Sequence, residues 1–268
     1  MRELCKAIEM PQEVTEYAAR FDSEFNYAAA EAEMNKLFAP ETWEEGLREL
    51  KKFLGEDSRG YKMLTCMLHC SRKSWEFYQN HEISGQIFVE TMKCFSRFVK
   101  EHRESYGFYG FDREWWTVRQ LSGRLFRIGE LEYELKEADG ERVIALHIPS
   151  DARLQQGKVL ASIQQAKIFL KEKFPEYSEV KMQCHSWLLS PTLKEVLSPG
   201  SNILAFQELF DIKVSGEDKA GEYMVWVFKR SDIPLRELPE NTSLQRRLKA
   251  YLLSGGKVLE AGGELKGN

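Results

Sequence analysis

The sequence predicts an α+β protein in two parts: a helical N-terminal domain over residues 1–122, then a mixed-sheet domain over residues 123–268. Three observations carry that reading. Apolar residues recur at three- and four-residue spacing up to about residue 121. Beyond Ser122-Gly123 the period changes to alternation, the mark of strands. The stretch from Val143 to Phe174, VIALHIPSDARLQQGKVLASIQQAKIFLKEKF, then reads as an apolar strand, a polar turn holding Arg153 and Gly157, and an amphipathic helix opening at Lys158.

The chain of 268 residues is long enough for two modest domains, each with its own core. Its net charge is −4, and Lys and Arg are interspersed with Asp and Glu. It therefore lacks the concentrated basic footprint of a sequence-independent nucleic-acid binder, and no nucleic-acid partner is expected. With 43% apolar residues and 12% aromatics the composition is globular. The segment MRELCKAIEMPQEV carries charges where a signal peptide needs its apolar region, and no later run approaches the roughly 20 apolar residues of a span. These features predict a cytoplasmic protein with no membrane partner. The odd set Cys5, Cys66, Cys70, Cys94 and Cys184 shows no regular framework and fits reduced thiols.

In the first part, Pro11 suits the first turn of a helix that carries Val14, Tyr17, Ala18, Phe21 and Phe25 on one face. Thr42-x-x-Glu45 has the form of a capping box, followed by Leu47, Leu50, Phe53 and Leu54 and a stop at Gly55. Tyr61 to Tyr78 and Gln86 to His102 repeat the helical pattern, so four or five helices are expected. The aromatic passage from Tyr106 to Gly123 predicts packing at a junction between domains, with Ser122-Gly123 as the boundary.

In the second part, LFRIGELEYEL reads as one alternating strand, with Leu125, Arg127, Gly129, Leu131, Tyr133 and Leu135 on one face. Asp139-Gly140 marks a hairpin turn, and Arg142 to Ile148 returns as the second strand. The following helix puts Val159, Ile163, Ala166 and Leu170 on one stripe, with Pro175 past its end. Val180 to Leu188 reads as a strand, Pro191 to Leu197 as a short helix, and Ser201 to Phe210 as a further helix or a loop. Phe210 to Val214 with Tyr223 to Phe228 read as a second hairpin around SGEDKAGE. Leu244 to Leu253 is helical, and the Gly-rich end has room for one last short strand.

A strand that passes through a Gly-containing turn into a helix N-terminus gathers backbone N–H groups and the positive end of a helix dipole at one point, which suits an anion. No Gly-x-Gly-x-x-Gly appears, and the preceding strands form a hairpin, so a dinucleotide fold is not expected. Cys66, His69 and Cys70 share a helix face at a spacing that can chelate zinc. A fourth ligand and a second cluster are missing nearby, so a core face and no metal are expected.

The order from residue 124 is strand, strand, phosphate-type turn, helix, strand, helix, strand, strand. It resembles the C-terminal half of the GNAT superfamily of acyltransferases. In ALHIPSDARLQQGKV, the residues Arg153, Gln155, Gln156, Gly157 and Lys158 stand where that family has its pyrophosphate loop; Arg153 lies four residues before Gly157 rather than three, and Val159 replaces a small residue. RQLSGRLFRIGELEYE, IALHIPSD, CHSWLLSPTLKEVL, SNILAFQELF and LQRRLK extend the similarity over nearly the whole chain, to bacterial two-domain GNAT-like acyltransferases with a helical N-terminal domain. The resemblance implies acetyl-CoA or another acyl-CoA as donor, bound by His147, Ile148, Arg153, Gln155, Gln156, Gly157 and Lys158. It also implies an acceptor nucleophile, read here as a small-molecule or peptide amine, with the helical domain over the acceptor side. The alternative is a GNAT-like module that holds CoA without turnover and acts as a regulatory protein.

Direct attack by an amine needs a proton acceptor and a donor for the developing oxyanion. His147 and His185 sit on the two strands that would flank the thioester, and histidine is the residue type suited to proton transfer at neutral pH, so either is a candidate base. The ordinary outcome for His185 is a strand histidine hydrogen-bonded into the core beside Trp187, and for His147 a structural strand residue. Glu132 and Glu134 are further candidate bases if buried, or members of a solvated sheet face. Cys184 is expected to be an inert core thiol rather than a nucleophile. Phe108, Phe111, Trp115 and Trp116 either line an acyl cavity or belong to core between the domains.

Overall fold

The computed structural model describes residues 1–138, 140–218, 221–230 and 232–267. The chain divides into two compact units, Met1–Ile128 and Gly129–Asn268.

The first unit holds α1 (Arg2–Ala7), α2 (Gln12–Glu24), α3 (Glu31–Asn35), α4 (Trp43–Leu54), α5 (Tyr61–Asn80), α6 (Gly85–Tyr106), α7 (Glu114–Leu121) and a short strand β1 (Leu125–Ile128). α5 and α6 pack against each other and bring much of the unit's core, with Leu64, Met67 and Leu68 of α5 and Met92, Phe95 and Phe98 of α6 all buried. Local signals set the helix ends. Ser84 Oγ accepts from the Ile87 N–H at 3.3 Å and caps α6, and Gly107, at φ 81°, ends it in the left-handed region. Gly55 ends α4 in the same way at φ 64°. Two expectations change. Pro11 is the N-cap of α2 rather than a first-turn residue. Thr42 does not form a capping box: its hydroxyl donates to the Lys36 carbonyl at 2.8 Å, and Glu45 instead takes the Lys36 ammonium at 2.7 Å. The preceding turn thus holds both side chains.

The second unit holds β2 (Leu131–Ala138), β3 (Glu141–His147), α8 (Gln156–Lys173), β4 (Met182–His185), α9 (Leu193–Val196), α10 (Asn202–Gln207), β5 (Phe210–Glu217), α11 (Glu222–Phe228), α12 (Ser243–Leu253) and β6 (Leu259–Leu265). Its strands run in the order β2-β3-β4-β6-β5, with β3 and β4 parallel and the other neighbours antiparallel. The hairpin β2–β3 is as expected; Asp139 of its predicted turn lies outside the described residues, as do Lys219 and Ala220 of the SGEDKAGE segment.

Alternation along these registers gives the sheet two unlike faces. Tyr133, Ile144, Leu146, Met182 and Cys184 form an apolar face under the buried stripe Val159, Ile163, Ala166 and Leu170 of α8, where the Tyr133 hydroxyl meets Ser162 Oγ at 3.0 Å. Glu132, Glu134, His147, Gln183, His185 and Gly262 lie on the other face.

Three predicted elements are redrawn. LFRIGELEYEL is not one strand: the chain turns at Gly129, at φ 62°, where a Cβ would come within 3.0 Å of the Ser162 side chain. Tyr223 to Phe228 is helix and not strand, because Val227 and Phe228 complete a cluster with Leu248 and Leu252 of α12. The partner of β5 is instead β6, so the Gly-rich end supplies an interior strand between β4 and β5. The strand predicted from Val180 is also shorter, turning into a 3-10 helix at Trp187–Leu189.

Candidate active site

The parallel pair β3–β4 is short. Its register runs only Ile144↔Met182 and Ala145↔Gln183. β4 then continues on the other side, with His185 paired to Gly262 and the Ser186 N–H donating to the Ala261 carbonyl at 3.2 Å. Past Ala145, β4 follows β6 while β3 runs on through Leu146 to His147. The sheet opens between the C-terminal ends of β3 and β4, with a histidine at the end of each strand.

His147 Nε2 lies 2.8 Å from Glu134 Oε2 across the β2–β3 hairpin, and the Lys136 ammonium lies 3.3 Å from the same oxygen. Glu134 is 2% exposed, as is Glu132, which sits directly opposite His147 in the register. The solvated-face alternative for these two glutamates therefore does not hold. When the Glu134 carboxylate is ionised it only accepts, and the bond then has Nε2–H as donor and leaves Nδ1 as the basic nitrogen of a neutral His147 ring.

His185 is exposed at the end of β4, and the expectation of a core histidine is corrected. The reason is the register: His185 falls on the polar face while Cys184 takes the core side. Its ring lies across β6, within 2.5 Å of where a Cβ on Gly262 would stand. Glu222 of α11 is held above the usual carboxylate range by burial and by the charges of Asp218 and Glu260, with His185 opposing them.

The predicted donor loop runs from Ile148 to Lys158. The helix opens earlier than the sequence suggests, at Gln156, with Gln155 as an N-cap that makes no side-chain capping bond. Gly157 consequently sits in the first turn of α8 and not in the preceding turn. Arg153, Gln155, Gln156, Gly157 and Lys158 are all exposed, Ile148 is half-buried, and a Cβ at Gly157 would meet nothing within 4 Å. The first turn contains no acid but does contain Lys158, the reverse of what the helix dipole favours. An anion offsets that arrangement, and one is present: Glu130 accepts from the Arg153 N–H at 2.7 Å and lies 3.4 Å from the Lys158 ammonium.

Cys184 is fully buried, and burial pushes its thiol up to about 12, which removes it as a nucleophile. Cys66 and Cys70 are likewise buried and raised to about 12, whereas His69 stacks on Tyr27 with ring centroids 3.5 Å apart. Among the described residues no three His, Cys, Asp or Glu side chains group as metal ligands. Phe111 is buried against Phe95 in the helical unit, while Phe108 and Trp115 are exposed.

Residues 125–265 match the family model of the GNAT-like C-terminal domain, and residues 1–123 that of the N-acyltransferase N-terminal domain. The chain belongs to this two-domain GNAT-like family. Solved structures similar to it include an acyltransferase in complex with decanoyl-CoA and teicoplanin, at 23% identity and a TM-score of 0.81 over 98% of this chain and 86% of that one. The same fold appears in an acyltransferase with CoA and 10C-Teicoplanin and in an acyltransferase mutant with octanoyl-CoA, each at 23% identity and TM-score 0.82, covering 99% of this chain and 87% of the other. At this identity the likeness establishes the fold. No curated protein matches.

In the GNAT-like domain the sequence singled out both histidines and the loop before α8, but not Glu130, Lys136 and Gly262, which the structure sets beside them. Glu130 precedes β2 and reaches a loop 23 residues away, so only its place beside a positive-φ glycine hinted at a turn. Lys136 was visible as the charge two residues after Glu134 on the same strand face.

Proposed function

We propose that the chain is an acyl-CoA-dependent acyltransferase that moves an acetyl or other short acyl group from the thioester to an amine by direct attack. The observation that supports this most strongly is the opening between β3 and β4 with His147, held by the buried Glu134, at its rim. In this reading the amine nitrogen forms a bond to the thioester carbon, the carbon–sulfur bond breaks, and CoA leaves as a thiolate. His147 Nδ1 takes the proton lost by the amine, and the Glu134 carboxylate steadies the imidazolium that results. Backbone groups freed where β3 leaves β4 pair with the amide arms of pantetheine, and the approach of amine to thioester becomes an event within one site. The N-terminus of α8, with Arg153 and Lys158, takes the pyrophosphate. His185 flanks the acceptor from the β4 side. We take the functional boundary between the domains at residues 122 and 123.

The neighbours' bound decanoyl-CoA, octanoyl-CoA and teicoplanin support an acyl-CoA donor and widen the chain lengths to be tried. The test is release of free thiol when acetyl-, octanoyl- and decanoyl-CoA are each supplied with a panel of amines. An enzyme releases thiol in step with acyl-amine product. A melting shift with acyl-CoA but no thiol release from any pair would mark the non-catalytic module instead.

A further inference from the structure

Glycine inside a strand weakens it, and so calls for a local reason. Gly262 lies in the middle of β6, an interior strand of the sheet, and its φ is not positive. Backbone conformation therefore does not require glycine there; space does. A Cβ at this position would lie 2.5 Å from both Cε1 and Nδ1 of His185 and 3.1 Å from Nε2, so the imidazole lies over the strand where a side chain would stand.

The register shows which way the ring leans. His185 pairs with Gly262, and Gly262 pairs in turn with Lys213 of β5, so the three form a row across the polar face. The ring extends along that row toward β5 and away from β3. At the next step of the same ladder β5 bulges between Val214 and Gly216. Glu260 stands two residues before Gly262 on β6, and Asp218, Glu260 and His185 all act on the Glu222 carboxyl, which burial raises.

We propose that Gly262 is a positioning residue for His185: it gives the imidazole a bed on β6, so that the ring borders the path of the acceptor instead of standing in the opening between β3 and β4. This rests on the acyl-transfer reading given above. With any larger residue at 262 the ring must rise from the sheet, and the acceptor side changes while the donor loop, on the far side of β3, does not.

The test is Gly262→Ala in the full chain, alone and combined with His185→Ala, with turnover against acceptor concentration, CoA affinity by calorimetry, and the His185 imidazole resonances by NMR. The expected result is a fall of about tenfold or more in kcat/KM for the acceptor, CoA affinity within about threefold, and displaced His185 resonances. In the His185→Ala background the same change is expected to matter less than about twofold, because the obstruction has gone. An equal loss in both backgrounds, or unmoved His185 resonances in Gly262→Ala, would overturn the proposal. If no acyl-CoA and amine pair turns over in the unaltered protein, the acyl-transfer reading fails, and the resonances still decide whether Gly262 positions the ring.

Discussion

The His147 imidazole is joined to the Glu134 carboxylate through a 2.8 Å hydrogen bond, with the glutamate closed to solvent in β2 and the histidine at the end of β3. A hydrogen bond to a buried carboxylate fixes the orientation of a histidine ring, which is what the proposed base requires. His147→Ala is expected to lower kcat by about 100-fold or more, the usual range for a lost general base, with CoA affinity within about threefold. Glu134→Gln keeps the shape but removes the charge, and a smaller loss in kcat is expected. Steady-state kinetics alongside calorimetric CoA titration checks both.

Glu130 carries a negative charge at the mouth of the proposed donor loop, on the Arg153 amide and beside Lys158. A pyrophosphate bound there as proposed would meet that charge. Two unit charges about 4 Å apart in water interact by about 1 kcal/mol, a factor of about five in affinity. Glu130→Gln is therefore expected to tighten CoA binding by about that factor at low salt, and by less as salt is raised. Lys158→Ala is expected to weaken it, so titrations of the two variants move in opposite directions.

How far these features could be read from the sequence depended on how local their causes were. The placement of His147 at a strand end, Arg153 in the turn and Lys158 in the first turn of a helix was legible because strand, turn and helix follow one another within one stretch of chain. The segment EYMVWVF was misread because a short apolar run fits strand or helix equally, and its helical state depends on α12 residues such as Leu248 and Leu252. β6 was only guessed at, since its glycines depress strand propensity while serving His185 and the neighbouring β5 backbone. Glu132 and Glu134 followed the alternation of a half-exposed strand, yet β2 is buried on both faces through this stretch. Alternation gives the face of a residue and not what covers it.

The thiols give an independent check on burial. Cys5, Cys66, Cys70, Cys94 and Cys184 are all buried, and Cys184 is pushed up to about 12 by desolvation. Desolvation thus keeps it as the unreactive thiol at pH 8. A thiol reagent at that pH is expected to leave the native protein essentially unmodified and to react with all five cysteines once it is denatured. Cys184→Ala is expected to keep kcat within about twofold, which excludes an acyl-cysteine intermediate.

The helical unit carries its own pH dependence. His69 is held below its ordinary value mainly by burial, opposed by its hydrogen bond to the Asp22 carboxylate and helped by the Arg72 charge, while its ring stacks on Tyr27. The unfolded chain therefore takes up this proton at a higher pH than the folded one. The stability His69 contributes is complete above the unfolded value, near 6.5, and is lost as pH falls through the lower folded value. Melting temperatures from pH 7.5 to about pH 5 are expected to fall in the unaltered protein and to fall less in His69→Gln, with calorimetry as the measure.

Passage of an acyl group from CoA to an amine at the opening between β3 and β4 is read by mass-spectrometric detection of acylated amine together with free CoA, for acetyl-, octanoyl- and decanoyl-CoA with an amine panel, in the unaltered protein and in His147→Ala. Equal amounts of product and free CoA are expected, lost together in the variant while CoA still binds. Product formed at an undiminished rate by His147→Ala, or no product and no CoA binding with any donor, would contradict acyl transfer at this opening.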